Sequence, residues 1–531
     1  MADGDWWRHG VIYQIYPRSF QDSDGDGVGD LPGIIARLDH LNGAPDSLGV
    51  DAIWLSPFYP SPMADFGYDI SDYCDVHPMF GTLVDFDRLL AEAHARGIRV
   101  IIDLVPNHTS DQHPWFLESR SSRSSPKRDW YVWADPKPDG SPPNAWQSVF
   151  QRVQESAWTF DQRTGQYYLH SFLPQQPDLN WWHPEVRRAM DRVVRFWLER
   201  GVDGFRIDVA TKTVKVRDLE HPTLEFAPGQ PDPTPPADEA EVHALLRTLR
   251  ATLEEYGERM AVGEVFVLDP AMMARYYGEQ ADELHLAFNF HFLRQPWDAD
   301  GFRAAVEAFE RVLPPGAWPD YTLSNHDNPR HASRYDQGGR GPARARVAAM
   351  MLLTLRGTPF LYYGEEIGMT DVPIPPERVV DVDGRDPERT PMQWDASPCG
   401  GFTVGEPWLP MGDVANINVA AQRGDPASLF SLYRRLIALR RESGALRWGR
   451  YRSLASPGGV FAYARQAEGE TLLVALNMGD DRDRVDLGVA GRGSVVLGTS
   501  IERDGEAVDL RSVALARDEG VIVRPEASAS D

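Results

Sequence analysis

The segment RRAMDRVVRFWLERGVDGFRID (187–208) decides the fold, because it joins a helical pattern directly to a short strand. Its first part carries apolar residues at the three- and four-residue spacing of an amphipathic helix. In the strand, Phe205 and Ile207 alternate with Arg206 and Asp208, so the two pairs point to opposite faces of a sheet. We expect the apolar pair to face covering helices and the Arg–Asp pair to face the mouth of a barrel.

Seven further β-branched or aromatic runs alternate with helical patterns on either side of this segment. Together the strand candidates are residues 11–16, 50–56, 98–105, 202–208, 260–266, 283–289, 320–325 and 357–363. Strands that alternate with helices predict a parallel sheet wrapped by helices. We therefore predict an α/β fold, and within that class a (β/α)8 TIM barrel.

Two segments depart from a minimal barrel. Residues 107–176, between the third and fourth strands, are rich in Pro, Trp, Ser and Asp, and such a length without helical period predicts a small inserted domain. From residue 451 onward, short apolar runs alternate with Gly and Asp turns, which is typical of an all-β domain. The predicted domains are the barrel in two parts (1–106 and 177–448), the inserted domain (107–176) and a C-terminal β-sandwich (449–525).

Composition and charge narrow the class of protein. The 531 residues include 54 Lys and Arg against 79 Asp and Glu, and the formal net charge of −25 disfavours nucleic acid and anionic membranes as partners. Cys74 and Cys399 are the two cysteines, too few for a disulfide framework, and they fit a reducing compartment. The N-terminal segment MADGDWWRHG lacks the apolar core of a secretory signal, and no run is long enough to span a membrane. We expect a cytoplasmic enzyme.

Polar residues lie at the ends of five of the predicted strands. Active sites of such barrels lie at the carboxyl ends of the strands, so these are the candidate functional residues. They are Asp65, Tyr68 and Asp69 after the second strand, Asp103 and His108 after the third, Arg206 and Asp208 in the fourth, Glu264 in the fifth, and His326 and Asp327 after the seventh. Carboxylates gathered in one pocket are costly unless they are used. Three uses are open: binding a metal, binding a polyol, or general acid–base catalysis.

The pattern favours acid–base work on a glycosidic bond. A catalytic metal is weakly supported, because His108 and His326 lie on separate strands and no HxH or HExxH motif occurs near them. Cleavage of a glycosidic bond needs one ionised and one protonated carboxyl group. We expect Arg206 to lower the pKa of Asp208 from the same face of the strand. Glu264 has no basic neighbour in the sequence and is the candidate proton donor.

The sixteen tryptophans leave two interpretations open. They fill the hydrophobic core, or some of them form flat platforms on which sugar rings stack.

Seven motifs occur in a fixed order along the chain: GVDAIWLSP, DLVPNH, QPDLN, GFRID, GEVF, NHD and GTPFLYYGEEIGM, together with GRDPERTPMQW. Over about residues 6–480 the sequence resembles the α-amylase superfamily (glycoside hydrolase family 13), and within it the α-glucosidase and oligo-1,6-glucosidase group. The resemblance implies a retaining exo-acting α-glucosidase that releases glucose from the non-reducing end of short maltose- or isomaltose-type oligosaccharides by double displacement. No organic cofactor is implied, and the partner is a disaccharide or small oligosaccharide.

The resemblance also implies roles for the residues at matching positions. Asp208 would be the nucleophile, Glu264 the general acid/base and Asp327 the third carboxylate, which grips the sugar hydroxyls. Substrate-binding roles fall to Asp65, Tyr68, His108, Arg206, His326 and Arg389. Within this set, Asp65 and Arg389 match the pair that clasps the terminal glucose, which favours removal of single glucose units over internal cleavage.

Relatives that share the mechanism transfer the glucosyl group to another acceptor. Trehalose synthase, sucrose isomerase and other transglucosylases are the alternative function, because they differ in loops around the leaving-group site rather than in catalytic residues. Two functions from other classes are disfavoured. The chain retains the carboxylates that a catalytically inactive transporter subunit would have lost. Its histidine spacing disfavours a metal-dependent amidohydrolase-type barrel.

An acidic loop, DSDGDGVGD (22–30), follows the first strand. Asp22, Asp24, Asp26 and Asp30 fall at positions 1, 3, 5 and 9 of an EF-hand-like loop, in which Val28 would offer its carbonyl oxygen. Gly33 stands at position 12, where an EF-hand carries Glu, so this is not a true EF-hand. The resemblance implies a structural cation here, usually Ca²⁺, remote from the sugar. The alternative is a solvated acidic turn.

Val209 directly follows the implied nucleophile. The resemblance implies that valine at this position accompanies a preference for α-1,6 linkages, because a β-branched side chain is rigid and narrows the leaving-group site. The alternative is that Val209 is merely the next strand residue and packs outward, with loops setting the linkage.

Overall fold

The computed structural model describes residues 5–220, 225–227, 230–456 and 458–526. Eight parallel strands form one sheet, and each lies within one of the eight predicted runs. They are β1 (Ile12–Ile15), β2 (Ala52–Leu55), β3 (Arg99–Leu104), β4 (Gly204–Ile207), β5 (Met260–Gly263), β6 (Leu286–Ala287), β7 (Asp320–Thr322) and β8 (Thr358–Tyr362). Their order is β6–β5–β4–β3–β2–β1–β8–β7, so the sheet is nearly closed and the predicted (β/α)8 TIM barrel is confirmed.

One principal helix follows each strand before the chain enters the next. In chain order these helices are Leu31–Leu41, Leu83–Ala95, Pro184–Arg200, Glu239–Glu254, Pro270–Ala274, Ala299–Val312, Gly341–Thr354 and Leu429–Glu442. The helix of the fold-deciding segment begins at Pro184, with the His183 side chain accepting the Glu185 N–H at its start. It ends at Gly201, whose φ of 101° supplies the left-handed turn into β4.

The faces of β4 are as predicted. Phe205 and Ile207 belong to the large cluster that also contains Val193 and Trp197 of the preceding helix. Arg206 points into the barrel, where it is 1% exposed and its guanidinium lies 5.3 Å from the centre of the Trp54 ring. A separate cluster fills the barrel interior below it, with Ile12, Trp54, Ile101, Met260, Val262, Leu286 and Phe360 among its members. This apolar cluster lies beneath the polar side chains at the carboxyl ends of the strands.

The two departures from a minimal barrel contain their own sheets. Between β3 and β4 lies an antiparallel sheet of three short strands, Trp133–Ala134, Trp158–Asp161 and Gln166–Leu169. After the last barrel helix, a six-stranded sheet contains Arg450–Ser453, Val460–Ala467, Glu470–Asn477, Arg492–Gly498, Ala507–Asp509 and Glu519–Pro525, and Asp483–Val485 pairs with Val513–Leu515. The boundaries at 106/107, 176/177 and 448/449 stay predictions.

Cys74 and Cys399 are both unpaired. No helix in the described part of the chain combines the length and the apolarity needed to cross a membrane. The first four residues of MADGDWWRHG lie outside the described residues.

Candidate active site

A cavity of about 460 Å³ opens at the carboxyl end of the barrel strands. Six of the predicted site residues line it: Asp65, Tyr68, His108, Asp208, Glu264 and Asp327. The other three, Arg206, His326 and Arg389, are buried just behind it and contact the lining residues. The strand-end residues of separate strands therefore meet at one site.

Arg206 joins the two implied catalytic carboxylates. Its Nη1 lies 2.6 Å from Asp208 Oδ1 and 3.0 Å from Asp103 Oδ1, and its Nη2 lies 3.1 Å from Glu264 Oε2. These three acids keep the pKa of the arginine well above its ordinary value despite burial. Glu264 thus has a basic neighbour that its flanking sequence does not contain, because the contact crosses from β4 to β5.

Arg206 lowers the pKa of Asp208, as expected, but burial outweighs this contribution. Burial raises the pKa of Asp208 well above its ordinary value, and the neighbouring charges of Glu264 and Asp103 add to the effect. Arg206 acts in the opposite direction, but it shares its positive charge among three carboxylates. The ionised form of Asp208 therefore depends on its contact with Arg206.

Val209 lies at the cavity wall in a strained conformation. Strand β4 ends at Ile207, and Val209 has a φ of 46°, which a β-branched residue rarely adopts. Its backbone N–H donates a hydrogen bond of 3.0 Å to Glu264 Oε2. The alternative that Val209 continues the strand and packs outward is therefore wrong, since Val209 lines the cavity.

Asp327 is held by two arginines. Its Oδ1 accepts hydrogen bonds from Arg385 Nη1 at 3.0 Å and from Arg389 Nη2 at 2.9 Å. Burial acts to raise the pKa of Asp327, but His326, Arg385 and Arg389 outweigh it and hold that pKa below its ordinary value. Asp327 is therefore ionised.

The tautomer of His326 follows from its partners. Burial lowers its pKa to about 3, so the ring is neutral. The Gln14 amide nitrogen can only donate, and it lies 2.8 Å from His326 Nδ1, which must therefore accept. The ring proton is on Nε2, which faces Tyr68 Oη at 2.5 Å and Asp327 Oδ2 at 3.1 Å. Tyr68 Oη in turn donates to Asp103 Oδ2 at 3.2 Å.

Asp65 forms its ion pair with Arg385, an arginine that the sequence motifs did not single out. Asp65 Oδ1 lies 2.7 Å from Arg385 Nη2, while Arg389 contacts Asp327 and donates from Nε to the His326 carbonyl oxygen at 2.7 Å. Arg385 also pairs with Asp381 at 2.7 Å. Sequence reasoning missed Arg385, although it lies in the quoted motif GRDPERTPMQW, four residues after an aspartate.

Gln176, from the QPDLN motif, connects Asp65 to His108. Its Nε2 donates to Asp65 Oδ2 at 3.0 Å and lies 3.0 Å from His108 Nε2, while its Oε1 accepts from the Leu173 N–H. Burial lowers the pKa of His108 to about 4, so this ring is also neutral. The inserted segment between β3 and β4 therefore holds two lining residues, Asp65 and His108, from behind through Gln176.

Phenylalanines, not tryptophans, supply the aromatic walls among the described residues. Phe150, Phe172, Phe266 and Phe290 line the cavity. The rings of Phe266 and Phe290 meet edge to face with centres 5.0 Å apart, and the Arg294 guanidinium lies 4.6 Å from the centre of Phe266. Phe266 lies in the motif GEVF, whereas Phe290 and Arg294 follow β6 without a distinctive spacing, so the sequence offered no signal for those two.

The acidic loop brings three of its four aspartates together. One carboxylate oxygen from each of Asp22, Asp24 and Asp30 lies within 4.8 Å of the other two, and Asp26 is not part of this group. The loop is pinned from outside: Thr403 Oγ1 donates to Asp22 Oδ2 at 2.5 Å, and a Cβ on Gly27 would lie 1.9 Å from the Glu406 carbonyl oxygen. Three convergent carboxylates fit a hard cation that prefers oxygen ligands.

Comparisons with known proteins agree with this geometry. The family model described as "Alpha amylase, catalytic domain" matches residues 14–449. A probable alpha-glucosidase of Rhizobium meliloti (strain 1021) is 45% identical over 507 residues, covering 90% of each protein, and an oligo-1,6-glucosidase of Heyndrickxia coagulans is 40% identical over 90% of this chain and 93% of that one. The crystal structure of the alpha-glucosyl transfer enzyme XgtA superposes with a TM-score of 0.90 at 40% identity, covering 98% of this chain and 99% of that one. The chain belongs to the α-amylase family.

Proposed function

We propose that this protein is a retaining, exo-acting α-glucosidase that releases glucose from the non-reducing ends of short α-glucosides. The observation that carries the proposal is the contact of one guanidinium, Arg206, with both Asp208 and Glu264 at a cavity between the strand ends. Retaining glycosidases hold their two carboxyl groups about 5–5.5 Å apart, and a shared guanidinium is compatible with that separation. The names of the α-glucosidase and oligo-1,6-glucosidase relatives support the same activity.

The first half of the reaction forms a covalent intermediate. Asp208 attacks the anomeric carbon of the terminal glucose, and the bond from that carbon to the leaving oxygen breaks as Glu264 gives its proton to that oxygen. Asp208 loses its negative charge when the ester bond forms, and Arg206 remains paired with Asp103. In the second half Glu264 takes a proton from water, the water oxygen bonds to the anomeric carbon, and Asp208 leaves as a carboxylate. The two inversions retain the α configuration.

The ion pairs around Asp65 support exo-action. Asp65, Arg385 and Asp327 form a continuous chain of ion pairs, with Gln176 behind Asp65. Hydroxyl groups of a terminal glucose can replace or extend these contacts, whereas an internal sugar would need room for a further residue there. Binding energy at this end orients the reacting bond.

Transglucosylation is the alternative function, and the structural similarity to an alpha-glucosyl transfer enzyme supports it. Both activities use the same first half-reaction and differ in whether water or a sugar hydroxyl accepts the glucosyl group. The walls formed by Phe266, Phe290 and Arg294 adjoin Glu264 in the cavity and are the part that would bind such an acceptor.

One incubation series tests both functions. The enzyme is given maltose, isomaltose, sucrose and trehalose in turn, and the products are identified by chromatography and by the anomeric proton signal of fresh glucose. Hydrolysis predicts free α-glucose from the disaccharides and little action on soluble starch. Isomerised disaccharides or longer oligosaccharides as the main products support the transglucosylase, and β-glucose as the first product contradicts the double displacement.

We further propose that Asp22, Asp24 and Asp30 hold a structural Ca²⁺, with Asp26 and the Val28 carbonyl completing the ligand set. The convergence of three carboxylates supports it, and the ion would screen their mutual repulsion and fix the loop after β1.

For the protein as a whole, the two unpaired cysteines and the net charge of −25 support a cytoplasmic enzyme with a neutral carbohydrate partner rather than nucleic acid or a membrane.

A further inference from the structure

The last barrel helix lies in a basic stretch of an acidic chain. Residues 423–450 contain seven arginines and only two acidic residues, although acids outnumber bases by 79 to 54 overall. This stretch includes the helix Leu429–Glu442, and none of its arginines belongs to the active-site cavity. Concentrated positive charge on a protein of this net charge needs a reason other than solubility.

Four of these arginines line a second cavity of about 560 Å³, which we call the basal groove. These arginines are Arg423, Arg434, Arg435 and Arg441, and none of the described residues that line the groove is acidic. Besides the four arginines, they are Asn42, Ala44, Pro45, Ser47, Leu48, Gly49, Gly424, Pro426, Ser431, Ile437, Ala438 and Ile501. The loop 42–49 enters β2 at its amino end. The groove is therefore distinct from the active site at the carboxyl ends of the strands.

The guanidinium groups of the basal groove are held in place from one side. Arg423 pairs with Asp46 at 2.5 Å, Arg441 with Asp51 at 2.9 Å, and Arg435 with Asp504. Arg434 has no carboxylate partner among the described residues, and it donates to the carbonyl oxygens of Ser47 at 3.0 Å and Pro45 at 2.9 Å. Three aspartates thus neutralise four arginines, and one positive charge is left over.

The chemistry of the groove suits a phosphate group. Each guanidinium has five N–H donors, whereas each of these four arginines makes two hydrogen bonds within the described structure. Carbonyl and carboxylate partners already hold the guanidinium groups in place, so less conformational entropy is lost when a ligand binds. The planar fork of arginine matches phosphate oxygens. The volume exceeds that of one phosphate, and Leu48, Ile437 and Ile501 offer an apolar wall to a short carbon chain.

We propose that the basal groove is a binding site for the phosphate group of a small metabolite. The site is independent of the glucosidase reaction, because its residues are separate from those that line the active-site cavity. Free phosphate and a phosphate ester share the recognised chemistry, and the volume of the groove favours the ester.

The test measures binding by titration calorimetry of the full chain, with inorganic phosphate and glycerol 3-phosphate as probes. Sodium chloride keeps the ionic strength constant, because salt screens guanidinium–phosphate attraction. Ala438 is exposed on the helix, and Glu and Gln are both good helix formers, so Ala438→Glu and Ala438→Gln leave the fold intact. The first variant places a negative charge in the groove, and the second places the same bulk without charge.

We expect Ala438→Glu to raise the dissociation constant at least tenfold and Ala438→Gln to raise it less than threefold. Arg434→Gln should weaken binding as strongly as Ala438→Glu, while Arg450→Gln, which removes a charge outside the groove, should not. Tighter binding of glycerol 3-phosphate identifies an ester, and equal binding of the two probes identifies free phosphate. Absence of binding of both probes at 10 mM, or equal weakening by Ala438→Glu and Ala438→Gln, overturns the proposal.

Discussion

The backbone N–H of Val209 donates a hydrogen bond of 3.0 Å to Glu264 Oε2, and Val209 holds a φ of 46° where it does so. The residue after the proposed nucleophile thus contacts the proposed acid/base through its main chain and also lines the cavity. Strain of this kind persists only where the surrounding structure determines it, and it concentrates at functional sites. The contact links β4 to β5 at the point where both halves of the reaction occur.

Asp208→Asn and Glu264→Gln should each abolish turnover without unfolding the protein. The first removes the nucleophile, and the second removes the proton donor while keeping an oxygen that can accept the Val209 N–H. Loss of a general acid costs about 10²–10⁴-fold, and loss of a nucleophile costs more. Rates on maltose and isomaltose check this, together with circular dichroism for the fold.

A leaving-group series distinguishes the two carboxylates. Glu264→Gln should regain activity on aryl α-glucosides with acidic phenols, because these leave without protonation, whereas Asp208→Asn should not. The nucleophile assignment would be abandoned if Asp208→Asn kept more than a few per cent of wild-type activity.

Anchoring of the terminal glucose should depend on Asp65 and Arg385 as a pair. Asp65→Ala, Arg385→Ala and Arg389→Ala should each raise KM and lower kcat for disaccharides, because anchoring of the terminal glucose orients the reacting bond. Asp65 contacts Arg385 at 2.7 Å, so the two single losses should not add in the double variant. Asp65 has no such contact with Arg389 in the described structure, and that pair serves as the matched control. Additive losses for Asp65 with Arg385 would contradict the pairing.

The contrast between Arg385 and Arg389 shows what a sequence can and cannot predict. Positions along one strand, such as Arg206 and Asp208, follow from the two-residue period, and the eight strands follow from their alternation with helices. The partner of Asp65 depends on the path of the loop after β8, which no periodicity constrains. The same limit explains the missed contact of Arg206 with Glu264 across two strands, and the raised pKa of Asp208, which burial decides.

The carboxyl group of Glu388, which is 4% exposed, should make the stability of the protein depend on pH. Burial raises its pKa to about 8, above the roughly 4.3 of an unfolded glutamate. The native state therefore holds this proton more tightly, and the stabilisation is complete below about pH 4 and is lost as the pH rises through about 8. Glu388→Gln cannot ionise, so its Tm relative to wild type should rise from pH 5.5 to pH 9.

An exposed neighbour supplies the control for that measurement. Glu377→Gln changes an exposed glutamate in the same loop region and should show a constant Tm difference across the range. A constant difference for Glu388→Gln as well would mean that the buried carboxyl does not titrate in this window.

Removal of Ca²⁺ should lower the Tm of the wild type. The carboxylates of Asp22, Asp24 and Asp30 repel one another without a cation between them. EDTA should therefore destabilise the protein, and added Ca²⁺ should restore it, whereas Asp24→Asn should abolish the response to both. Differential scanning calorimetry checks this, with Asp72→Asn, an aspartate outside the loop, as the control. Equal Tm values with EDTA and with Ca²⁺ would support the alternative, in which the loop is a solvated acidic turn without a bound cation.

Linkage preference should follow the side chain of Val209. Val209 lines the cavity and its N–H contacts Glu264, the proposed proton donor to the leaving oxygen. We therefore expect its γ-methyl groups to face the leaving sugar, and β-branching keeps them rigid. An α-1,6 link has an extra methylene and one more rotatable bond, so the leaving sugar can avoid this obstacle, whereas an α-1,4 link holds the rings closer. A group of methyl size is worth about 1–3 kcal/mol, which gives a preference rather than exclusion.

The ratio of kcat/KM for isomaltose to that for maltose tests this preference in the wild type and in Val209→Thr. We expect isomaltose to be preferred by the wild type and the ratio to fall about tenfold in the variant, because threonine keeps the shape but replaces a methyl with a hydroxyl that can bind the leaving sugar. Thr211→Ser, a change at another lining residue on the same loop, is the control and should leave the ratio unchanged. An unaltered ratio in Val209→Thr would assign linkage to the walls around Phe266 and Arg294 instead.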